Sequence, residues 1–251
     1  MDDRFFVKYS PLTTIDYPGK LACIGFTGKC NMRCPYCHNL KTFESMEPED
    51  INEFIEHVCE RSNIIKGIVV SGGESLMPEY ISALLSFLTS MKLIGFDIKI
   101  DTNGTHPIQL QKLAGLKLID YVAMDVKSDV EFFPWINDKK RKTDNFFKYF
   151  NINKEKSTKI ETFMIIIENN LDYELRTTMV KPFINHDGII KIASLLKTLT
   201  YGKIKRWYLQ RPTLDKNIIL NPKVEMEAFS EEELEKIKGE LENYVNVVEI
   251  R

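Results

Sequence analysis

No stretch of this 251-residue chain is both long and apolar enough to span a bilayer, and its opening residues, Met1-Asp2-Asp3-Arg4, are mostly charged. The expectation is a protein that is neither membrane-embedded nor exported, since a spanning helix takes about 20 apolar residues and a leader needs an apolar core. Net charge is nearly absent too: 34 basic side chains face 36 acidic ones, leaving a formal -2. So close a balance gives no global field for nucleic acid or anionic lipid, and any contact with either must come through a local patch. No internal repeat, low-complexity run or linker interrupts the chain. One domain over 1–251 is therefore expected, with a core of about 20–210 followed by a C-terminal helix and an extra strand in 211–251. Cysteines are scarce and odd in number: five, of which three fall within eight residues. That is a poor basis for a disulfide framework and points to a reducing, cytoplasmic setting.

Hydrophobic residues make up 43% of the chain, enough for a full-sized core. Leu21 to Phe26 is continuously apolar, as a strand buried on both faces would be. Gly67 to Val70, Phe96 to Ile100, Tyr121 to Val126, Tyr173 to Val180 and Ile204 to Leu209 read as further strands. Helical spacing lies between them. Ile51, Phe54, Ile55, Val58 and Cys59 form one face, Ile81, Leu84, Leu85, Leu88 and Met91 another, and Pro107 opens a third helix carrying Leu110 and Leu113. Ile160 to Ile167 is β-branched yet helically spaced, and a helix is the expectation there; another covers Ile189 to Leu199. Six β/α units in alternation predict a parallel sheet with right-handed crossovers, an incomplete TIM-like (β/α)6 barrel with outer helices. Ser230 and Glu233 make a capping box ahead of a last helix, and Val245 to Ile250 a final strand.

The polar motifs follow or close these strands: Cys30, Cys34 and Cys37 after the first, Ser71-Gly72-Gly73-Glu74 after the second, Asp101-Thr102 after the third, Asp125 and Lys127 after the fourth. Carboxyl ends of parallel strands converge on ligands, so the four motifs share one mouth. Several chemistries fit the cysteine loop alone. Cys34-Pro35-Tyr36-Cys37-His38 has the pattern of c-type haem attachment and contains a thioredoxin-like pair, but both leave Cys30 unexplained. Zinc needs a fourth ligand, which only His38 offers locally. Three thiolates also suit a four-iron cluster with one iron left open for substrate, because such clusters ordinarily take four cysteines.

The spacing C-x3-C-x-aromatic-C, with Tyr36 as the aromatic, together with the Gly72-Gly73-Glu74 turn, resembles the radical S-adenosylmethionine (SAM) enzymes. The resemblance implies a [4Fe-4S] cluster on Cys30, Cys34 and Cys37. It further implies SAM chelated to the open iron and cleaved by one electron to a 5'-deoxyadenosyl radical. Thr14 to Lys20, Cys34 to Asn39, Asp101-Thr102-Asn103-Gly104, Met124 to Lys127 and Arg176 to Val180 are similar to the activating proteins of anaerobic ribonucleoside-triphosphate reductases. Those are activases that place a radical on a glycine of a partner enzyme. The partner so implied is a glycyl radical enzyme, anaerobic ribonucleotide reductase foremost, with a flavodoxin as electron donor. The same resemblance assigns Asp101, Thr102 and Asp125 to a monovalent cation beside the SAM carboxylate. It places Tyr36, Ser71, Gly72, Gly73, Glu74 and Lys127 around SAM; His186, between a predicted strand and a predicted helix, is positioned to reach the same mouth and touch SAM, or is simply a polar loop residue.

Two departures stand out: Ser75 replaces the usual proline after the turn, which predicts a looser turn, and no second cysteine set exists for accessory clusters. Cys23 and Cys59 read as small core residues. Phe132 to Phe150 interleaves aromatics with Lys139-Lys140-Arg141-Lys142, a composition that suits a packed helix, a docking surface or single-stranded nucleic acid. Two alternatives to an activase thus remain: a radical SAM enzyme acting on another substrate such as a peptide, nucleic acid or deazapurine, and a zinc-bearing nucleic-acid-binding module.

Overall fold

The computed structural model describes residues 5–134, 144–152 and 157–251. Its chain begins with an unexpected strand, β1 (Phe6–Thr13), which pairs antiparallel with β2 (Ala22–Thr27). Pro11 lacks an N–H and the register shifts twice along the pair, features that an edge strand tolerates. The loop after β2 leads through α1 (Leu40–Glu44) to α2 (Ile51–Glu60), started by the Asp50 carboxylate accepting from Asn52 N. Three β/α units follow: β3 (Gly67–Gly72) and α3 (Ile81–Ile94), β4 (Asp97–Thr102) and α4 (Pro107–Gly115), β5 (Tyr121–Asp125) with α5 (Asp144–Tyr149) and α6 (Thr158–Glu168). The β-branched run within 160–167 is helical, with Ser157 capping its start.

The expected strand to Val180 ends earlier. β6 (Asp172–Thr178) stays in the main sheet, while β7 (Val180–Lys181) leaves it to pair with β9 (Glu227–Ala228). The break sits at Met179, whose N–H turns to the Gln210 carbonyl. α7 (His186–Leu199), β8 (Ile204–Gln210), α8 (Glu231–Leu241) and β10 (Val245–Ile250) complete the chain. The capping box of Ser230 and Glu233 is formed.

The sheet runs β1-β2-β3-β4-β5-β6-β8-β10, parallel from β2 onward. Among the described residues β1 and β10 do not pair, so the barrel is open. Both faces of the strands are covered, which explains their unbroken apolar character. One cluster of buried side chains, from Phe5 to Val248, joins the sheet to the helices around it. Thr27 pairs with Gly72, Asp125 with Arg176 and Thr178 with Gln210, so these strand ends lie at one rim and carry the motifs with them.

Candidate functional site

The cysteine loop is held from several sides. Arg33 N–H donates to the Tyr149 carbonyl (2.8 Å), Asn221 N–H to the Pro35 carbonyl (3.0 Å), and Lys29 N–H to the Tyr80 hydroxyl (3.0 Å). The Arg33 guanidinium folds back on the Cys30 and Met32 carbonyls and reaches Glu44. Behind the loop, Met32, Cys34 and Tyr36 pack against Phe146, Phe150 and Phe183. Phe132, Phe146 and Phe150 are buried, which removes them as a stacking platform for nucleic acid. Trp135 and the basic run 139–142 lie outside the described residues.

Cys30, Cys34 and Cys37 line one cavity of about 250 Å³. Burial pushes the Cys30 thiol up to about 11 and raises Cys34 as well, so these sulfurs become thiolates through a bound cation rather than alone. A larger hollow of about 720 Å³ lies beyond Phe146, Tyr149 and Phe183 and is lined by no cysteine.

The glycine turn meets the loop backbone to backbone. Gly73 and Glu74 donate to the Thr27 and Lys29 carbonyls, and a Cβ on Gly73 would lie 2.2 Å from Lys29 O. Gly72 adopts φ +118°, in the region that favours glycine. Glu74 does not face the cavity. Its buried carboxylate accepts from Leu76 N, Thr102 Oγ1 and Asn103 N, at 3.0, 2.7 and 2.6 Å, which ties the turn to the end of β4; burial nevertheless raises its pKa. Ser75 is buried and donates to the Asp101 carbonyl (2.5 Å). The expectation of a loose turn is corrected: a hydrogen bond takes over the proline's part.

Arg176 bridges the two aspartates, 3.0 Å from Asp101 Oδ2 and 3.0 Å from Asp125 Oδ1. Lys99 Nζ lies 3.1 Å from Asp101 Oδ1 and Lys127 Nζ 2.8 Å from Asp125 Oδ2. Burial alone would raise both carboxylates, but these cations hold them below the usual range. Ser71 Oγ also donates to Asp101, and Thr102 is taken by Glu74. A monovalent cation finds no free ligand set here: each oxygen of the two aspartates already faces a protein cation. Lys127 stays protonated, since Asp125 outweighs the cost of its burial.

Of the residues anticipated, Tyr36, Gly72, Gly73, Asp125 and Lys127 line the cavity with the cysteines. Ser71, Glu74, Asp101 and Thr102 form the frame beneath it. His186 is not among the lining residues: it starts α7, and its Nε2 lies 3.0 Å from Glu240 of α8. Asn103, Thr178 and Gln210 line the cavity unanticipated. Asn103 and Thr178 lie within the Asp101-Thr102-Asn103-Gly104 and Arg176 to Val180 motifs, and Gln210 had only its place at a strand end to signal it.

The donor set suits a cluster better than a single ion. Among the described residues no three His, Cys, Asp or Glu side chains converge closely enough for one metal. Zinc requires that convergence, whereas a four-iron cluster receives each thiolate on a different iron. Tyr36 Oη, buried with no hydrogen-bond partner, marks room for a further polar ligand.

Residues 24–180 match the model of the radical SAM superfamily. The chain belongs to that superfamily. It is 37% identical over 191 residues to a protein of Methanocaldococcus jannaschii assigned as a glycyl-radical enzyme activating enzyme, covering 74% of this chain and 72% of that one. It is 32% identical over 131 residues to the pyruvate formate-lyase-activating enzyme of Staphylococcus aureus, covering 45% of this chain and 51% of the relative. Among solved structures, a domain of a pyruvate-formate lyase-activating enzyme from Bacteroides vulgatus superposes at TM-score 0.53, with 17% identity over 74% of this chain and 98% of that chain. A radical SAM methyltransferase from Sphaerobacter thermophilus does so at 0.61, with 15% identity over 96% and 68%. These last two show the shared fold: the partial barrel is that of radical SAM enzymes. Among the described residues no helix is long and apolar enough to cross a membrane.

Proposed function

We propose that this radical SAM enzyme is an activase that generates a glycyl radical on a partner enzyme, anaerobic ribonucleotide reductase being the partner its motifs favour. One observation carries the reading: three thiols of one loop open into the same cavity as Gly72, Gly73, Asp125 and Lys127, and no fourth cysteine lines it. The activase step is supported by the M. jannaschii and S. aureus relatives and by the Asp101-Thr102-Asn103-Gly104 and Arg176 to Val180 motifs.

Cys30, Cys34 and Cys37 would hold a [4Fe-4S] cluster, and the chemistry such a cluster would supply is the one-electron reduction that splits SAM into methionine and a 5'-deoxyadenosyl radical. The chain's own residues bind and orient. Gly72 and Gly73 let the main chain come close to SAM, and Tyr36, Asp125 and Lys127 face it. Lys127, protonated, is the cation at hand for the SAM carboxylate. Ser71, Glu74, Asp101 and Thr102 hold the rim in register. The setting is a reducing cytoplasm, and the electron donor a flavodoxin.

The test is anaerobic reconstitution with iron and sulfide, then reduction with SAM present. 5'-Deoxyadenosine and methionine are expected, and a glycyl radical EPR signal when anaerobic ribonucleotide reductase is added. Lack of 5'-deoxyadenosine from a loaded cluster refutes the chemistry. Its formation without a glycyl radical reassigns the substrate, and one zinc with no iron or sulfide returns the loop to the zinc reading.

A further inference from the structure

Asn103 sits where β4 ends, with its backbone N–H on the glycine turn's Glu74 and its side-chain amide toward the cysteine loop. Its N–H is fixed by the Glu74 carboxylate (2.6 Å), and its carbonyl accepts from the buried Lys159 ammonium. The orientation of the amide follows from its partners. Oδ1 accepts from Thr105 N (3.0 Å) and Thr105 Oγ1 (2.6 Å); the backbone N–H can only donate, so the atom facing it is the oxygen. Nδ2 must then point the other way, where it donates to Asn31 Oδ1 (2.9 Å) and lies 3.9 Å from Cys30 Sγ. Asn31 closes the circuit through its own Nδ2, which donates to Thr105 Oγ1 (2.9 Å). Asn103, Asn31 and Thr105 thus form a ring in which no amide can flip without breaking at least two hydrogen bonds.

The ring gives Cys30 a side-chain N–H donor in addition to the Met32 backbone N–H at 3.4 Å. Among the described residues the Cys34 and Cys37 sulfurs have no such donor. Hydrogen bonds to an iron-ligating sulfur draw electron density from it and so favour the reduced state of a cluster. Position and chemistry therefore coincide at one thiol.

We infer that Asn103 is a positioning residue for the cluster, donating to the Cys30 thiolate and making uptake of one electron from an external donor easier. The inference rests on the cluster assignment of the proposed function. Asn103→Ala, neutral and without the amide, removes the donor. Thr105→Val opens the ring at its hydroxyl, taking one of the two donors from Asn103 Oδ1 and the acceptor from Asn31 Nδ2, and so loosens the amide while leaving both Asn103 and Cys30 in the chain.

The experiment measures iron and sulfide content and then the midpoint potential of the reconstituted cluster, by EPR-monitored titration, for the wild-type protein and both variants. Both variants are expected to keep their iron and titrate at lower potential, Asn103→Ala the lower of the two. With a weak one-electron donor, 5'-deoxyadenosine formation by Asn103→Ala should slow by roughly 10-fold or more and recover with a stronger reductant. Full iron with an unchanged potential in Asn103→Ala overturns the inference. If that variant loses its iron, Thr105→Val decides: a lowered potential supports the inference, and an unchanged one reduces Asn103 to a structural part of the loop. A wild-type protein that takes up no four-iron cluster refutes the functional reading, and the inference falls with it.

Discussion

At Gly73 a single methyl group is enough to test how closely the turn and the cysteine loop are fitted. Its Cβ would meet backbone, not a flexible side chain, at 2.2 Å. Gly73→Ala should therefore lower the unfolding free energy by about 1–3 kcal/mol, as overpacking does, and weaken SAM binding measured by equilibrium dialysis. Gly239 is the contrast, lying inside α8 with nothing within 4 Å of its Cβ. Gly239→Ala should stabilise the protein by about 0.5–1 kcal/mol in denaturant titrations and leave the site alone. Asp101 gives a pH signature. Arg176 and Lys99 depress its pKa in the folded state, so its stabilisation is present above the unfolded value and disappears as pH falls through the folded one. Asp101→Asn should cost about 1–3 kcal/mol at neutral pH, because it takes one carboxylate partner from Arg176 and from Lys99 and leaves them Asp125 and Glu174. Its stability should also decline less steeply than that of the wild type from about pH 4 downward, which denaturant midpoints at each pH would record.

The elements were legible in proportion to how regular they are. The parallel strands announce themselves as apolar runs, and α6 by its spacing despite its β-branched residues. β1 was not foreseen, because Pro11 and a mixed burial pattern hide an edge strand. β7 and β9 depend on a pairing between Val180 and Ala228, distant in sequence, that no local pattern encodes. The site divides likewise. Spacing reveals Cys30, Cys34 and Cys37, but the places of Arg176 and Asn103 are set by ion pairs and hydrogen bonds between strand ends, and that of His186 by the packing of α7 beside α8, which only the fold supplies. α8 is the element whose sequence signal can be tested in isolation from the site. Ser230→Ala removes half of its capping box and should cost about 1 kcal/mol in thermal or chemical unfolding, with 5'-deoxyadenosine formation unchanged.

Across the whole molecule, the continuous core from Phe5 to Val248 predicts one cooperative unfolding event. The chain has two tryptophans. In a Trp135→Phe variant Trp207 reports alone; it is buried and donates from Nε1 to Thr177 Oγ1 (2.9 Å). Its emission and far-UV circular dichroism should follow a single guanidinium transition, and two separated transitions would divide the chain into two domains. The clamps on the cysteine loop come from Tyr149 and Asn221, far along the chain from Arg33 and Pro35. On the ribosome the thiols emerge early and their cradle late. Loading of the proposed cluster should consequently be a late event in the life of the polypeptide, with little iron taken up by a nascent chain stalled before Asn221.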